Sequence, residues 1–130
     1  DNPKKLIPLF INNALENENL FLDNSQLRFD YIHIDDLVDG IIKAIGHIAY
    51  QEGQYYNQCT LCSNQGVSIK EIAEIIIDTT DSESKIIENN SIHMGTYNQP
   101  SSSQSKKLFN FEPTINFNDG IKKLILSYSK

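Results

Sequence analysis

Arginine is almost missing from this chain: Arg28 is the only one in 130 residues, and the formal charge is −6. Nucleic-acid binding needs a basic face to neutralise phosphates, so that class of partner is excluded. No apolar run approaches the roughly 20 residues needed to cross a bilayer, so no membrane association is expected. The opening Asp1-Asn2-Pro3-Lys4-Lys5 lacks the apolar stretch of a secretory signal, and there is no initiator methionine. A cytoplasmic piece of a longer or processed chain is the expectation. The six glycines form no G-x-x-G-x-x-G loop. Without that phosphate-binding turn of a βαβ unit, no dinucleotide cofactor is expected on this chain.

Cysteine is scarce too, with Cys59 and Cys62 forming one C-x-x-C. Zinc would require two further ligands from His33, His47 and His93, and none has paired spacing. A redox pair usually opens a helix, whose N-terminal dipole lowers the thiol pKa. Here the pair follows a β-prone stretch and precedes a polar turn. Ordinary reduced thiols, and no metal, are expected.

What is present reads as one small mixed α/β domain over residues 1–130. Leu6, Ile7, Phe10, Ile11, Ala14 and Leu15 have helical spacing, with Pro8 confined to the helix start. Leu20-Phe21-Leu22 predicts a strand, followed by turn chemistry at Asp23-Asn24-Ser25. Tyr31–Ile34 is β-prone, and Asp35 or Asp36 is placed to cap the helix that follows. Leu37, Val38, Ile41, Ile42, Ala44, Ile45 and Ile48 then form a broad apolar face that has to be buried. Tyr55-Tyr56-Asn57 predicts a further strand.

Val67-Ser68-Ile69-Lys70-Glu71-Ile72 carries a capping box, Ser68 with Glu71, inside a Val67/Ile72 hydrophobic staple. That helix is predicted to run to Thr79. Lys85–Glu88 reads as a strand and Asn89–Ser105 as a polar surface loop. Lys106–Phe109 reads as a helical turn closed by Asn110. Asn116 is the predicted cap of a last helix with Ile121, Leu124, Ile125 and Tyr128 on its buried stripe.

The segment Phe29-Asp30-Tyr31-Ile32-His33-Ile34-Asp35-Asp36-Leu37-Val38-Asp39-Gly40 resembles the R-D-Y-I-H-V-x-D-L-x-D-G junction of nucleotide-sugar epimerases and dehydratases, the extended short-chain dehydrogenase/reductase family. Further pieces resemble that family in the same order. They are Leu6–Ile11, Leu20–Leu22, Gly53–Asn57, Val67–Glu71, Lys106–Pro113 and Phe117–Leu124. The resemblance implies the substrate-binding C-terminal portion of such an enzyme, without its Rossmann half. It also implies NAD or NADP in the parent protein, bound by a Rossmann domain of the same polypeptide, and a nucleotide-diphosphate sugar as substrate. No Tyr is followed four residues later by Lys, so the family's Y-x-x-x-K acid/base pair is missing and no catalytic residue is expected here.

The substrate-binding residues that the resemblance implies are Lys5, Leu6, Phe21, Arg28 and Tyr97. Arg28 stands one position before the family's diphosphate arginine, where this chain has Phe29. A second family arginine, ahead of the Lys106–Pro113 segment, has no counterpart. A diphosphate without arginine forks loses its strongest bidentate partners. If a bulge restores the reach of Arg28, it should converge with Lys5 on one cleft beside Phe21. A solvated strand-end arginine and a core phenylalanine are the plainer readings of the same residues. His33, between two isoleucines, is expected to have a structural or interface role, and Tyr97, in the long loop, is either near the substrate or a loop tyrosine with no chemical role. Two functions compete: a substrate-binding fragment, inert alone, of a nucleotide-sugar epimerase, dehydratase or reductase in polysaccharide biosynthesis, or a non-catalytic α/β module derived from that fold.

Overall fold

The computed structural model describes residues 5–89 and 97–128, with five helices and four short strands among them. The fold class is mixed α/β, as the sequence predicts. The chain divides into two compact units.

The first unit comprises Asp1–Phe29, Val67–Tyr97 and Asn118–Lys130. Helix α1 spans Leu6–Leu15. Pro8 lies in its first turn, where a missing N–H costs nothing, and the first helical bond runs from Leu9 N to Lys5 O at 2.9 Å. Strand β1, Leu20–Asp23, pairs in parallel with the strand Ile86–Asn89, with Leu20 opposite Ile86 and Phe21 opposite Ile87. The predicted capping box is present. Ser68 Oγ accepts from Glu71 N at 3.1 Å, and Glu71 Oε2 accepts from Ser68 N at 2.7 Å. The helix it opens, Ile69–Thr80, buries Ile69, Ile72, Ala73 and Ile76 and packs on α1. Leu20, Leu22, Phe10 and Ile11 join them in the core, with Ile121 and Ile125 of the last helix, Phe117–Tyr128. Numbered in chain order, the remaining strands are β2 (Arg28–Asp30), β3 (Gly66–Ser68) and β4 (Ile86–Asn89). The helices are α2 (Ile34–Ala49), α3 (Ile69–Thr80), α4 (Ser103–Phe109) and α5 (Phe117–Tyr128). β2 and β3 form a second two-stranded sheet.

The second unit, Asp30–Gly66 with Asn98–Phe117, is built on α2 and α4. Its centre is Phe111, fully buried, with Cys62 and Ser105. Gly40 is required by close approach: a Cβ there would meet Leu61 Cδ2 at 2.8 Å and Phe111 Cδ2 at 3.0 Å. Asn64, in the left-handed region, is the hub of a polar knot. Its side chain accepts from Ser102 N at 3.0 Å and donates to Ser102 Oγ at 2.7 Å. Cys62 Sγ also donates to Asn64 Oδ1, and burial pushes that thiol's pKa up, the opposite of what a reactive thiol needs.

Several expectations are corrected. Tyr31–Ile34 is not a strand; the strand lies earlier, at Arg28–Asp30, and Ile34 already begins α2. The cap of α2 is His33, whose Nδ1 accepts from Asp35 N at 3.2 Å, and neither aspartate is the N-cap. Tyr55–Asn57 forms no strand with any described residue. Most consequentially, the apolar face of α2 is not buried: Val38, Ile41, Ile42, Ile45 and Ile48 are all exposed. The predicted loop Asn89–Ser105 lies partly outside the described residues, and its last residues begin α4.

Candidate functional site

Strand alternation sets the first candidate side chain. Leu20 and Leu22 point into the core, so Phe21 between them points out and is 64% exposed. The core reading of Phe21 is therefore wrong. An exposed phenyl ring beside Ile87, itself partly exposed on the neighbouring strand, makes a small apolar platform on β1 and β4.

Arg28 opens β2 and is half-buried. Its guanidinium is engaged by Glu71, with Nη2 at 3.0 Å from Oε2. Glu71 itself is fixed at the start of α3 by the capping box, so one carboxylate serves both the helix terminus and the chain's single arginine. The N–H of Ser68 holds the Glu71 carboxyl below its ordinary pKa, and the Arg28 charge adds to that effect. Around the same strands, Lys70 Nζ and Ser25 Oγ both donate to the Glu88 carboxylate, at 2.7 Å and 2.6 Å.

Lys5 is exposed at the entry to α1, Leu6 is half-buried in its first turn, and Tyr97 is half-buried. All five predicted residues belong to the first unit. What the structure brings together with Arg28 is Glu71, a partner 43 positions away that the sequence reading assigned only to capping.

The second unit holds a carboxylate whose role the sequence reading missed. Asp36 lies in the first turn of α2 and is 5% exposed. Its Oδ1 accepts from Thr114 N at 3.1 Å and Thr114 Oγ1 at 2.9 Å, and its Oδ2 from Ile115 N at 2.9 Å. Burial works against the charge, but these three donors outweigh it and hold Asp36 below the usual aspartate range. Asp36 is a clamp that fixes the Thr114–Ile115 backbone to α2, not a proton donor. His47, in the last turn of α2, has Nε2 2.9 Å from Tyr55 Oη and its ring 6.1 Å from that of Phe109.

Among the described residues no cluster of three or more His, Cys, Asp or Glu side chains could hold a metal ion, and no helix is long and apolar enough to cross a membrane. In the first unit the candidate residues thus comprise a planar cation at a strand end, an exposed aromatic, and a carboxylate that caps α3.

The family model described as the NAD dependent epimerase/dehydratase family matches residues 1–59. Several solved structures share the fold of nearly the whole chain. UDP-glucose 4-epimerase from Thermotoga maritima, solved with UDP-glucose, superposes with a TM-score of 0.79 at 13% identity, covering 96% of this chain and 39% of that one. RMD from Pseudomonas aeruginosa, complexed with NADPH, gives 0.81 at 16% identity, covering 98% and 43%. The dTDP-glucose 4,6-dehydratase of Bacillus anthracis, solved with NAD, gives 0.73 at 22% identity, covering 98% and 40%. No curated protein matches the chain. The chain therefore shares the fold of part of each of these structures, as the motifs suggested, and it spans about two fifths of their length.

Proposed function

We propose that this chain is the substrate-binding portion of an NAD(P)-dependent nucleotide-sugar epimerase, dehydratase or reductase, a cytoplasmic enzyme of polysaccharide biosynthesis, and that it is inert alone. The observation that carries this reading is the asymmetry of coverage. At least 96% of this chain, but no more than 43% of the neighbours, is shared. The cofactor and the Tyr and Lys that move protons belong, in this reading, to the dinucleotide-binding part of the same polypeptide. This portion supplies the wall for the nucleotide diphosphate. Arg28, set by Glu71, faces the diphosphate, Phe21 offers an apolar surface to the base, and Lys5, Leu6 and Tyr97 complete the contact set. A charge-assisted hydrogen bond contributes about 1.5–3 kcal/mol. In the full-length enzyme Arg28→Ala should therefore weaken UDP-glucose or dTDP-glucose binding by roughly one to two decades, read by titration calorimetry. The isolated chain should bind neither NAD nor NADP.

A second reading, a non-catalytic module on the same fold, is favoured by one observation: the single arginine already holds an ion pair with Glu71. Unchanged nucleotide-sugar affinity in Arg28→Ala, or none in the parent enzyme, selects that reading.

A further inference from the structure

Lys70 and Glu71, consecutive at the start of α3, each form an ion pair with a strand residue, and the two pairs differ in quality. Lys70 Nζ lies 2.7 Å from Glu88 Oε1, and Ser25 Oγ donates to the other oxygen of that carboxylate at 2.6 Å. The Arg28 fork meets Glu71 more loosely, with Nη2 at 3.0 Å from Oε2 and both terminal nitrogens at 3.4 Å from Oε1. A well-formed charge-assisted pair closes at about 2.7–2.9 Å. The Arg28 and Glu71 side chains are also 42% and 43% exposed. A pair so open to water biases an equilibrium by roughly fivefold at most. Glu71 does not depend on the arginine for its place. Its shortest contact is the bond accepted from Ser68 N at 2.7 Å, so Arg28 can leave without stranding the carboxylate.

We infer that Glu71 is a displaceable latch on Arg28: it holds the guanidinium in place of a ligand's phosphate, gives it up when a diphosphate arrives, and stays behind as part of the α3 cap. The inference rests on the functional reading above and names how the anion contact of that site is regulated. The exchange replaces one anion by another at the same planar fork. A phosphate supplies the bidentate geometry that the 3.4 Å contacts to Glu71 lack. Apparent affinity at such a site is lowered in proportion to the fraction of molecules whose arginine is still held. Glu71 therefore sets the affinity through Arg28, without touching the ligand.

The test titrates the full-length polypeptide by calorimetry with UDP-glucose, dTDP-glucose and inorganic pyrophosphate. The variants are Glu71→Gln, Arg28→Ala, the two combined, and Ser68→Ala. Glutamine still accepts from Ser68 N, so Glu71→Gln keeps the capping box and removes only the charge that holds Arg28. It should tighten binding by about two- to fivefold. That gain should vanish in the Arg28→Ala background, whereas a general relief of negative charge would persist there. Ser68→Ala weakens the cap but leaves the ion pair, and affinity should stay as in the wild type. Unchanged or weaker binding in Glu71→Gln overturns the latch, and so does a gain that survives the loss of Arg28. If Arg28→Ala weakens nucleotide-sugar binding and Glu71→Gln does not strengthen it, this inference alone is rejected. If pyrophosphate follows the latch pattern and neither nucleotide sugar binds, the enzyme reading alone is rejected. Binding of none of the three probes rejects both.

Discussion

Helices α2 and α3 carry nearly the same kind of sequence and meet opposite fates. Each has an isoleucine-rich stripe at helical spacing, and each begins with a side-chain cap, His33 for α2 and Ser68 for α3. In α3 the stripe is the core of the first unit, with Ile72 and Ile76 fully buried. In α2 the stripe faces outward, and the helix is held instead from its polar side, by the Asp36 clamp and the close fit of Gly40 to Leu61 and Phe111. Amphipathicity says that a helix has a face to bury, but not what buries it. The difference teaches that, among the described residues, the apolar stripe of α3 finds a core to join and that of α2 does not.

The comparison is broken most directly by truncation. Ile72→Ala should cost about 2–5 kcal/mol, the usual range for emptying a closed core site. Ile45→Ala in the same urea experiment should change stability by less than about 0.5 kcal/mol, as expected for an exposed position. Similar losses at the two sites would mean that α2 is buried in solution.

Next in size is the clamp. Asp36→Ala leaves three donors of Thr114 and Ile115 without their acceptor in a buried site, and should cost about 2–3 kcal/mol. The sign of its pH dependence follows from the direction of the shift. Asp36 has a lowered pKa in the folded chain, so its contribution is complete above the ordinary aspartate value of about 3.9 and is lost as pH falls through the lower folded value. Glu71 acts in the same direction. A pH series of urea midpoints should therefore fall below about pH 4, less steeply in Asp36→Ala.

Smaller effects sharpen the contrast between the helix starts and interiors. Ser68→Ala removes the cap of α3 and should cost about 1 kcal/mol by urea unfolding. Within α2, Gly46 has nothing within 4 Å of a built Cβ, so Gly46→Ala should stabilise by up to about 0.8 kcal/mol through helix propensity. Gly40→Ala should do the reverse, since its methyl must displace Leu61 or Phe111. Thermal melts of the two variants should move in opposite directions.

Much of the first unit was legible because its signals are local. The α1 bounds, the strand at Leu20–Leu22, the Ser68–Glu71 capping box and the strand at Ile86 each depend on residues a few positions apart. The second unit was harder for the same reason. Asp36 meets Thr114 and Ile115 nearly 80 positions away, and nothing in a two-aspartate helix start announces which one turns inward. The β propensity of Tyr31–Ile34 lost to a histidine cap, a residue type that ranks below Ser, Thr, Asp and Asn for that role. Tyr55–Asn57 reads as a strand because its residues favour one, but a strand exists only with a partner. At the candidate site, Arg28 was identifiable from its rarity, whereas its pairing with Glu71 required the fold.

The central claim, that α2 turns its apolar stripe outward while α3 buries its own, is tested most directly by native-state hydrogen exchange of the α2 amides from Ile41 to Ile48. In this 130-residue chain they should exchange faster than those of Ile72–Ile76 in α3 by roughly a hundredfold or more. Protection of α2 equal to that of α3 would contradict the account.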